Sequence, residues 1–297
     1  MTRTYAGILI AIAFAFVSCE SKLEKKKAVI ISFLAKQEGE FAVAFKDLKT
    51  GDELLINEHE SFHAASTMKT PVMIEIFKQA AEGKFALNDS ILVKNEFKSS
   101  VDGSIYHLNP EEDSEQVLYT QVGSKKLLSE LVYDMIIVSS NLATNIVIEL
   151  VDAKKVTQTM RDYGAPDMQV LRGVEDDKAY EQGLNNTTMA YDLMKIYEKI
   201  ATGTAVNEEA SKAMTKILFD QKFNTIIPAK LPVDVKVAHK TGSIISVLHD
   251  SGIVYLPDGR SYVLVLLSKG FKSDSVACDA MATVSKMIYD TVMEDKQ

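Results

Sequence analysis

The chain has no tryptophan, six prolines and only two cysteines, Cys19 and Cys278, among 297 residues. With Cys19 lipidated or removed no disulfide is left, so stability has to come from a buried core. Cys278 lies in a helical pattern and reads as a small buried hydrophobe. The five histidines, His59, His63, His107, His239 and His249, are scattered. Neither His-Glu-x-x-His nor a cysteine pair at zinc spacing occurs, so no metal site is expected. A Gly-x-Ser-x-Gly elbow, a phosphate loop and a dinucleotide fingerprint are missing too. There is no positive excess either: the formal charge of −8 argues against nucleic acid or an anionic membrane as the main partner. Lys25, Lys26 and Lys27 are too short a run to change that and read as a solvated linker.

At the N-terminus, Arg3 precedes an apolar run over residues 6–17, then Ser18 and Cys19. That run is too short to span a bilayer but suits the apolar region of a secretory signal. A cysteine straight after it, followed by Glu20, Ser21 and Lys22, resembles a bacterial lipoprotein signal. Residues 1–18 are therefore expected to be removed, Cys19 is a candidate lipid site, and 19–27 is a linker. A plain cleaved signal is the alternative. Either way the mature protein works outside the cytoplasm.

The chain as a whole is 46% hydrophobic and 25% charged, ordinary for a globular protein with a substantial core. EFAVAFKDLKTGDELLINEH reads as a hairpin turning at Lys49, Thr50, Gly51 and Asp52. Helical spacing fills the middle of the chain, with Gly83, Gly164 and Gly203 at helix stops. Strand patterns return in VKVAHKTGSI, HDSGIVYLPDG and RSYVLVLLSKG, and a helix over about 273–294 closes the chain. Strands at both ends predict one sheet flanked by terminal helices, with an all-helical part between. The boundaries expected are 28–62 with 224–297 for the α/β part and 63–223 for the helical part. Two polar, weakly periodic stretches, 97–125 and 172–186, are long enough to be functional or mobile loops.

The segment HAASTMKTPVMIEIF, residues 63–77, sets Ser66 and Lys69 one helical turn apart. At a helix start, free N–H groups favour negative charge developing at the serine hydroxyl. A lysine whose pKa is depressed by burial or a second cation can take the serine's proton. Alone, the pattern equally fits a capping serine and an exposed lysine. VSSNLATN puts Ser139, Ser140, Asn141 and Asn145 behind an apolar run, which suits a polar network or a capped helix end. AHKTGS sets Lys240, Thr241, Gly242 and Ser243 on a strand, and the lysine, the hydroxyls and the approachable glycine suit an anionic substrate.

Ser-x-x-Lys, Ser-x-Asn and Lys-Thr-Gly in this order resemble the penicillin-recognising serine hydrolases, most closely the class A β-lactamase-like group. The resemblance runs from about residue 41 to the C-terminus and includes Asn145 and GIVYLPDGRSYVLVLL. It implies a β-lactamase/transpeptidase-like α/β (α+β) fold, with an antiparallel sheet and an all-helical domain enclosing the site. Ser66 would be the acylated nucleophile, and the N–H groups of Ser66 and Ser243 the oxyanion hole, each worth about 3 kcal/mol. Lys69 would be the general base or its partner, and Ser139 would relay a proton to the leaving nitrogen. Asn141 would bind the substrate's acylamide; Lys240, Thr241 and Ser243 would hold its carboxylate. Lys240 facing Lys69 would depress the pKa of Lys69.

The match departs from the family in the loop that should supply a deacylating glutamate. LRGVEDDKAYEQGLNNTTMAYDL offers Arg172 and the NNTTMA exit, but Glu175 falls one residue late, and Ala179 stands where an asparagine is usual. Glu175 is the first candidate and Asp176 the second; solvated loop carboxylates are the alternative for both. Ser140 replaces an aspartate, and no arginine follows Lys-Thr-Gly, leaving His249 as a nearby carboxylate partner. His239 reads as a structural strand histidine. The expected activity is hydrolysis of β-lactams through acyl-Ser66 by a monomer without metal or cofactor. The rivals are a D,D-peptidase or esterase that deacylates slowly on a peptidoglycan-like substrate, and a non-catalytic envelope-binding lipoprotein.

Overall fold

A computed structural model of the protein describes residues 22–294; the segment read as a signal, with Cys19, lies outside them. Five strands form one antiparallel sheet: β1 (Glu40–Asp47), β2 (Glu53–Ile56), β3 (Lys236–Ile244), β4 (Val247–Tyr255) and β5 (Ser261–Lys269), in the order β2-β1-β5-β4-β3. The β1–β2 turn falls where the sequence predicts. Asp47 Oδ1 accepts the N–H groups of Lys49 and Thr50, and Gly51 takes the left-handed φ of 80°.

Alternation along the strands separates two cores. Phe41, Val43, Phe45, Tyr262, Leu264 and Leu266 point to the face covered by the terminal helices α1 (Lys22–Leu34) and α9 (Asp274–Glu294). Ala42, Ala44, Val263, Val265 and Leu267 point to the other face, against the helical part. Helix α1 starts at Lys22, so Lys25, Lys26 and Lys27, read as linker, lie in its first turns. Leu23, Ile30, Phe33 and Leu34 anchor it on the terminal-helix core.

The helical part comprises α2 (Lys69–Ala81), α3 (Leu128–Ile137), α4 (Asn141–Val151), α5 (Ala153–Asp162), the short α6 (Asp177–Glu181), α7 (Ala190–Ala201) and α8 (Glu208–Phe219). Helix α2 is its axis. Residues 69–77 are all buried, and α3, α4, α5 and α8 pack around them. Its lone core carboxylate, Glu75, accepts bonds from Gln79 and from the Thr159 hydroxyl, both at 2.6 Å. Helix α7 lies across β1, β4 and β5, and α8 against β3, closing the helical part onto the sheet.

The apolar run 128–151 does not form one helix. It breaks between α3 and α4, where Ser139 takes a φ of 60°. Such a conformation is costly for a residue with a Cβ. It turns Ser139 out of the helix, where its Oγ meets Lys240 of β3, and sets Asn141 at the start of α4. The stretch 97–125 is not featureless: a two-residue ladder pairs Phe97–Lys98 with Ile105–Tyr106, and 3-10 turns follow at Pro110–Glu112 and Val117–Gln121.

Candidate active site

Ser66 is delivered by a short ladder, Phe62–His63 against Thr187–Thr188, that leads into a 3-10 turn, Ala65–Met68. Ala65 has a φ of 45°, and its N–H is held by His63 Nδ1 at 3.0 Å. The turn runs straight into α2, so Ser66 sits at the start of a continuous helical stack, as the Ser-x-x-Lys spacing predicts. Strand β3 crosses it closely. A Cβ on Gly242 would lie 3.1 Å from Ser66 N and 3.0 Å from Thr67 N. The glycine of Lys-Thr-Gly is what lets the strand approach the Ser66 backbone.

Both lysines of the motifs are fully buried, and both meet at Ser139. Lys69 Nζ donates to Ser139 O (2.6 Å), Ser139 Oγ (3.2 Å) and Asn141 Oδ1 (2.9 Å). Lys240 Nζ donates to Ser139 Oγ (3.1 Å) and Thr241 O (2.8 Å). Burial pulls the Lys69 pKa down to about 7, although the Asp113 and Glu175 carboxylates hold it up. Burial, then the charge of Lys69, holds Lys240 well below the usual lysine range. Three donated bonds are the full complement of an ammonium, whereas a neutral amine donates two. Loss of a proton from Lys69 therefore releases its longest bond, to Ser139 Oγ, and creates the lone pair a base needs.

The two candidate acids separate cleanly. Glu175, at a φ of 59°, turns into the cleft; Oε1 accepts Asn141 Nδ2 at 3.0 Å, and Oε2 accepts Asn109 N–H at 3.1 Å. Asn141 thus bridges Lys69 to Glu175. Burial, against those two bonds, raises the Glu175 pKa. Asp176 turns inward, accepting Ser99 Oγ, Ser100 N and Oγ, and Ala179 N at the start of α6. Burial opposes its ionisation but these bonds prevail, and its pKa is lowered.

Ser66, Ser139, Asn141, Glu175, Thr241 and Ser243 line one cleft of about 750 Å³ between sheet edge and helices. Residues 22–292 of the chain match the β-lactamase enzyme family. The chain belongs to that family. Among its relatives, the β-lactamase CARB-3 of Pseudomonas aeruginosa is 23% identical over 80% of this chain and 78% of its own length. A β-lactamase of Bacteroides uniformis is 24% identical over 82% and 83%. Its fold is similar to a solved structure of PBP-A, at a TM-score of 0.78 and 25% identity over 91% of this chain and 96% of that one. The TLA-1 extended-spectrum β-lactamase superposes at a TM-score of 0.79, with 17% identity over 92% and 99%. The fold is β-lactamase/transpeptidase-like.

Other features of this β-lactamase-family site escape the motifs. His249 is not a charged partner for a substrate carboxylate. Its Nδ1 accepts Ser268 N–H at 3.3 Å, so its Nε2–H donates to His63 O at 2.9 Å, and burial takes its pKa to about 4. His239 is structural, bonded to Asp250 at 2.8 Å and to Asn224 at 3.1 Å. Asn145 grips Val174 by both backbone groups, N–H at 2.7 Å and C=O at 2.9 Å, one residue before Glu175. Gly173 fits only because it lacks a Cβ, which would come within 2.5 Å of Asn145 Oδ1. Asn186 closes the loop neck, its Oδ1 taking the N–H groups of Leu171 and Arg172. Asn145 was visible as a match to the motif. Asn186 was visible too, within the NNTTMA exit, and both histidines were read from the sequence; Gly173 acts through a close approach that leaves no local pattern.

Proposed function

We propose that the protein is a class A-type serine β-lactamase that opens β-lactam rings through an acyl-Ser66 intermediate. One observation carries this reading: Lys69 and Lys240 share the Ser139 hydroxyl beside the Ser66 turn, while Asn141 ties Lys69 to Glu175. Neutral Lys69, or Glu175 acting with it, takes the Ser66 proton as Oγ attacks the lactam carbonyl. The N–H groups of Ser66 and Ser243 receive the oxyanion. Ser139, held between two lysines, passes a proton to the leaving nitrogen. Lys240, Thr241 and Ser243 hold the substrate carboxylate, and Asn141 its acylamide. Glu175 then activates the deacylating water. The first 18 residues and Cys19 support export and anchoring to the envelope, and the protein acts as a monomer.

A second reading is a penicillin-binding hydrolase that deacylates slowly. It is favoured by the likeness to PBP-A, another solved form of which is an acyl-enzyme complex with penicillin G. Intact mass during incubation with a penicillin and a chromogenic cephalosporin separates the two, with Ser66→Ala as control. Substrate loss with only a transient adduct, abolished by Ser66→Ala, is the expected result. A stoichiometric adduct lasting hours establishes the second reading. No adduct and no turnover refutes both and leaves a non-catalytic envelope protein.

A further inference from the structure

Asp113 belongs to no motif, yet it is buried against the α3–α4 break. Its Oδ2 accepts the N–H groups of Asn141 (2.8 Å) and Leu142 (3.0 Å) and the Tyr119 hydroxyl (2.9 Å), and its Oδ1 accepts Glu115 N–H at 3.1 Å. Next to it, Ser114 Oγ donates to Val138 O at 2.6 Å, and four residues upstream Asn109 N–H holds Glu175. One short segment of the 97–125 loop therefore grips two members of the Glu175–Asn141–Lys69 bridge, Glu175 at its end and Asn141 at its middle. Ser140, where the family usually has an aspartate, answers only Ala143 N–H through its hydroxyl, at 3.2 Å, and brings no charge.

We propose that Asp113 is a positioning residue for the acyl-serine reaction: it fixes Asn141 between Lys69 and Glu175 and sets a carboxylate behind Lys69. The inference rests on the reading of Ser66 as an acylated nucleophile. A carboxylate on the first free N–H groups of α4 is favoured by charge-assisted bonding and by the helix dipole. Its charge also reaches the reacting groups. Lys69 is faced by Asp113, by Glu175 through Asn141, and by Lys240 across Ser139; Glu175 is faced by Glu112 and Asp113. Asparagine at 113 would keep an acceptor oxygen and remove the charge. The proton affinity of Lys69 and of Glu175 would both fall, so whichever group sets the acidic limb of acylation, the limb moves the same way.

The test measures acylation of the full-length protein by a penicillin, by quenched-flow intact mass, for wild type, Asp113→Asn and Asp113→Ala. In Asp113→Asn the acidic limb should move to lower pH by roughly half a unit. In Asp113→Ala, with Asn141 released as well, acylation should fall at least about tenfold at every pH. A uniform loss in Asp113→Asn with an unmoved limb would make Asp113 a structural cap only and overturn the proposal. If Asp113→Ala does not fold, Asp113→Asn decides alone. A wild-type protein that never acylates refutes the acyl-serine reading and this proposal with it; a normally acylating wild type with an unmoved limb refutes only the role of Asp113.

Discussion

Gly242→Ala tests the geometry most directly, because its effect follows from two distances. The added Cβ would sit 3.1 Å from Ser66 N and 3.0 Å from Thr67 N, where ordinary contact begins at 3.4 Å, so the strand and the turn must part by about 0.3–0.4 Å. Both opposing atoms are backbone and cannot rotate away. Gly242 does not have a left-handed φ, so alanine adds no backbone strain and only the contact matters. Overpacking of this kind costs about 1–3 kcal/mol, which for a chain of this size lowers Tm by about 2–4 °C per kcal/mol. Losing an oxyanion donor entirely costs about 10²–10³ in rate, so displacing Ser66 N by a fraction of an ångström should slow acylation by about 10- to 100-fold. Gly259→Ala is the control. Gly259 has a φ of 86° and nothing within 4 Å of its missing Cβ. Alanine there costs about 1–2 kcal/mol of backbone strain and leaves the rate alone. Acylation rate and Tm are measured for both variants. Wild-type acylation and Tm in Gly242→Ala would refute the close approach of β3, and equal slowing in both would mean that general destabilisation, not displacement of Ser66, is responsible.

Three further outcomes are expected. Glu175→Gln should trap the acyl-enzyme, lowering deacylation by about 10²–10⁴, whereas Asp176→Asn should instead lower stability by about 1–3 kcal/mol through the Ser99, Ser100 and Ala179 bonds; single-turnover kinetics with thermal melts checks the pair, and reversed effects would exchange their roles. With the Lys69 pKa at about 7, acylation should climb along an acidic limb and level off above about pH 7. The same shift makes the unfolded chain bind more protons between the folded pKa and the ordinary lysine value of 10.5, so this lysine's contribution to stability improves as pH rises through that window; a pH-independent acylation rate would contradict the shift. Asn145→Ala leaves two Val174 backbone groups unanswered, at about 1–3 kcal/mol each, and should slow deacylation more than acylation; a stability loss with both steps equally affected would show that the loop does not depend on this grip.

What was legible in the sequence was what repeats or turns locally. The continuous apolar run in RSYVLVLLSKG gives a strand buried on both faces, and the turn residues 49–52 give a hairpin. The break at Ser139 was half legible: the polar residues of VSSNLATN suit a capped helix end or a polar network, and Ser140 does cap α4, whereas the φ of 60° at Ser139 leaves no pattern in the sequence. Helix α1 reaches back to Lys22 because one apolar face, with Leu23 on it, can cover the sheet while the lysines remain near solvent. The family resemblance carried by the motifs of Ser66, Lys69, Ser139, Asn141 and Lys240 implied one shared site, and the structure brings them together. The register ranked Glu175 ahead of Asp176 but could not show how far they part: adjacent residues diverge here because one is left-handed and the other caps a helix. Asp113 was invisible for a related reason, since its partners are backbone N–H groups from a distant helix.

The site also shows where the fold departs from its own regularity. Ala65, Ser139 and Glu175 are three of the seven non-glycine residues with positive φ among the described residues, and all three line the cleft. Each such conformation costs about 1–3 kcal/mol, and two unexposed lysines around one hydroxyl add a desolvation cost. Each departure has a chemical use. Ala65 turns the chain so that Ser66 starts a helix, Ser139 leaves α3 to stand between the lysines, and Glu175 leaves its loop toward Asn141. The compensation lies in the neighbouring bonds: His63 holds Ala65, Asn145 holds Val174, and Asp113 holds the start of α4. None of these three partners is a motif residue of the Ser-x-x-Lys, Ser-x-Asn and Lys-Thr-Gly set. On the acyl-serine reading proposed above, the motifs therefore specify which groups react, while the geometry they take is fixed by residues outside them.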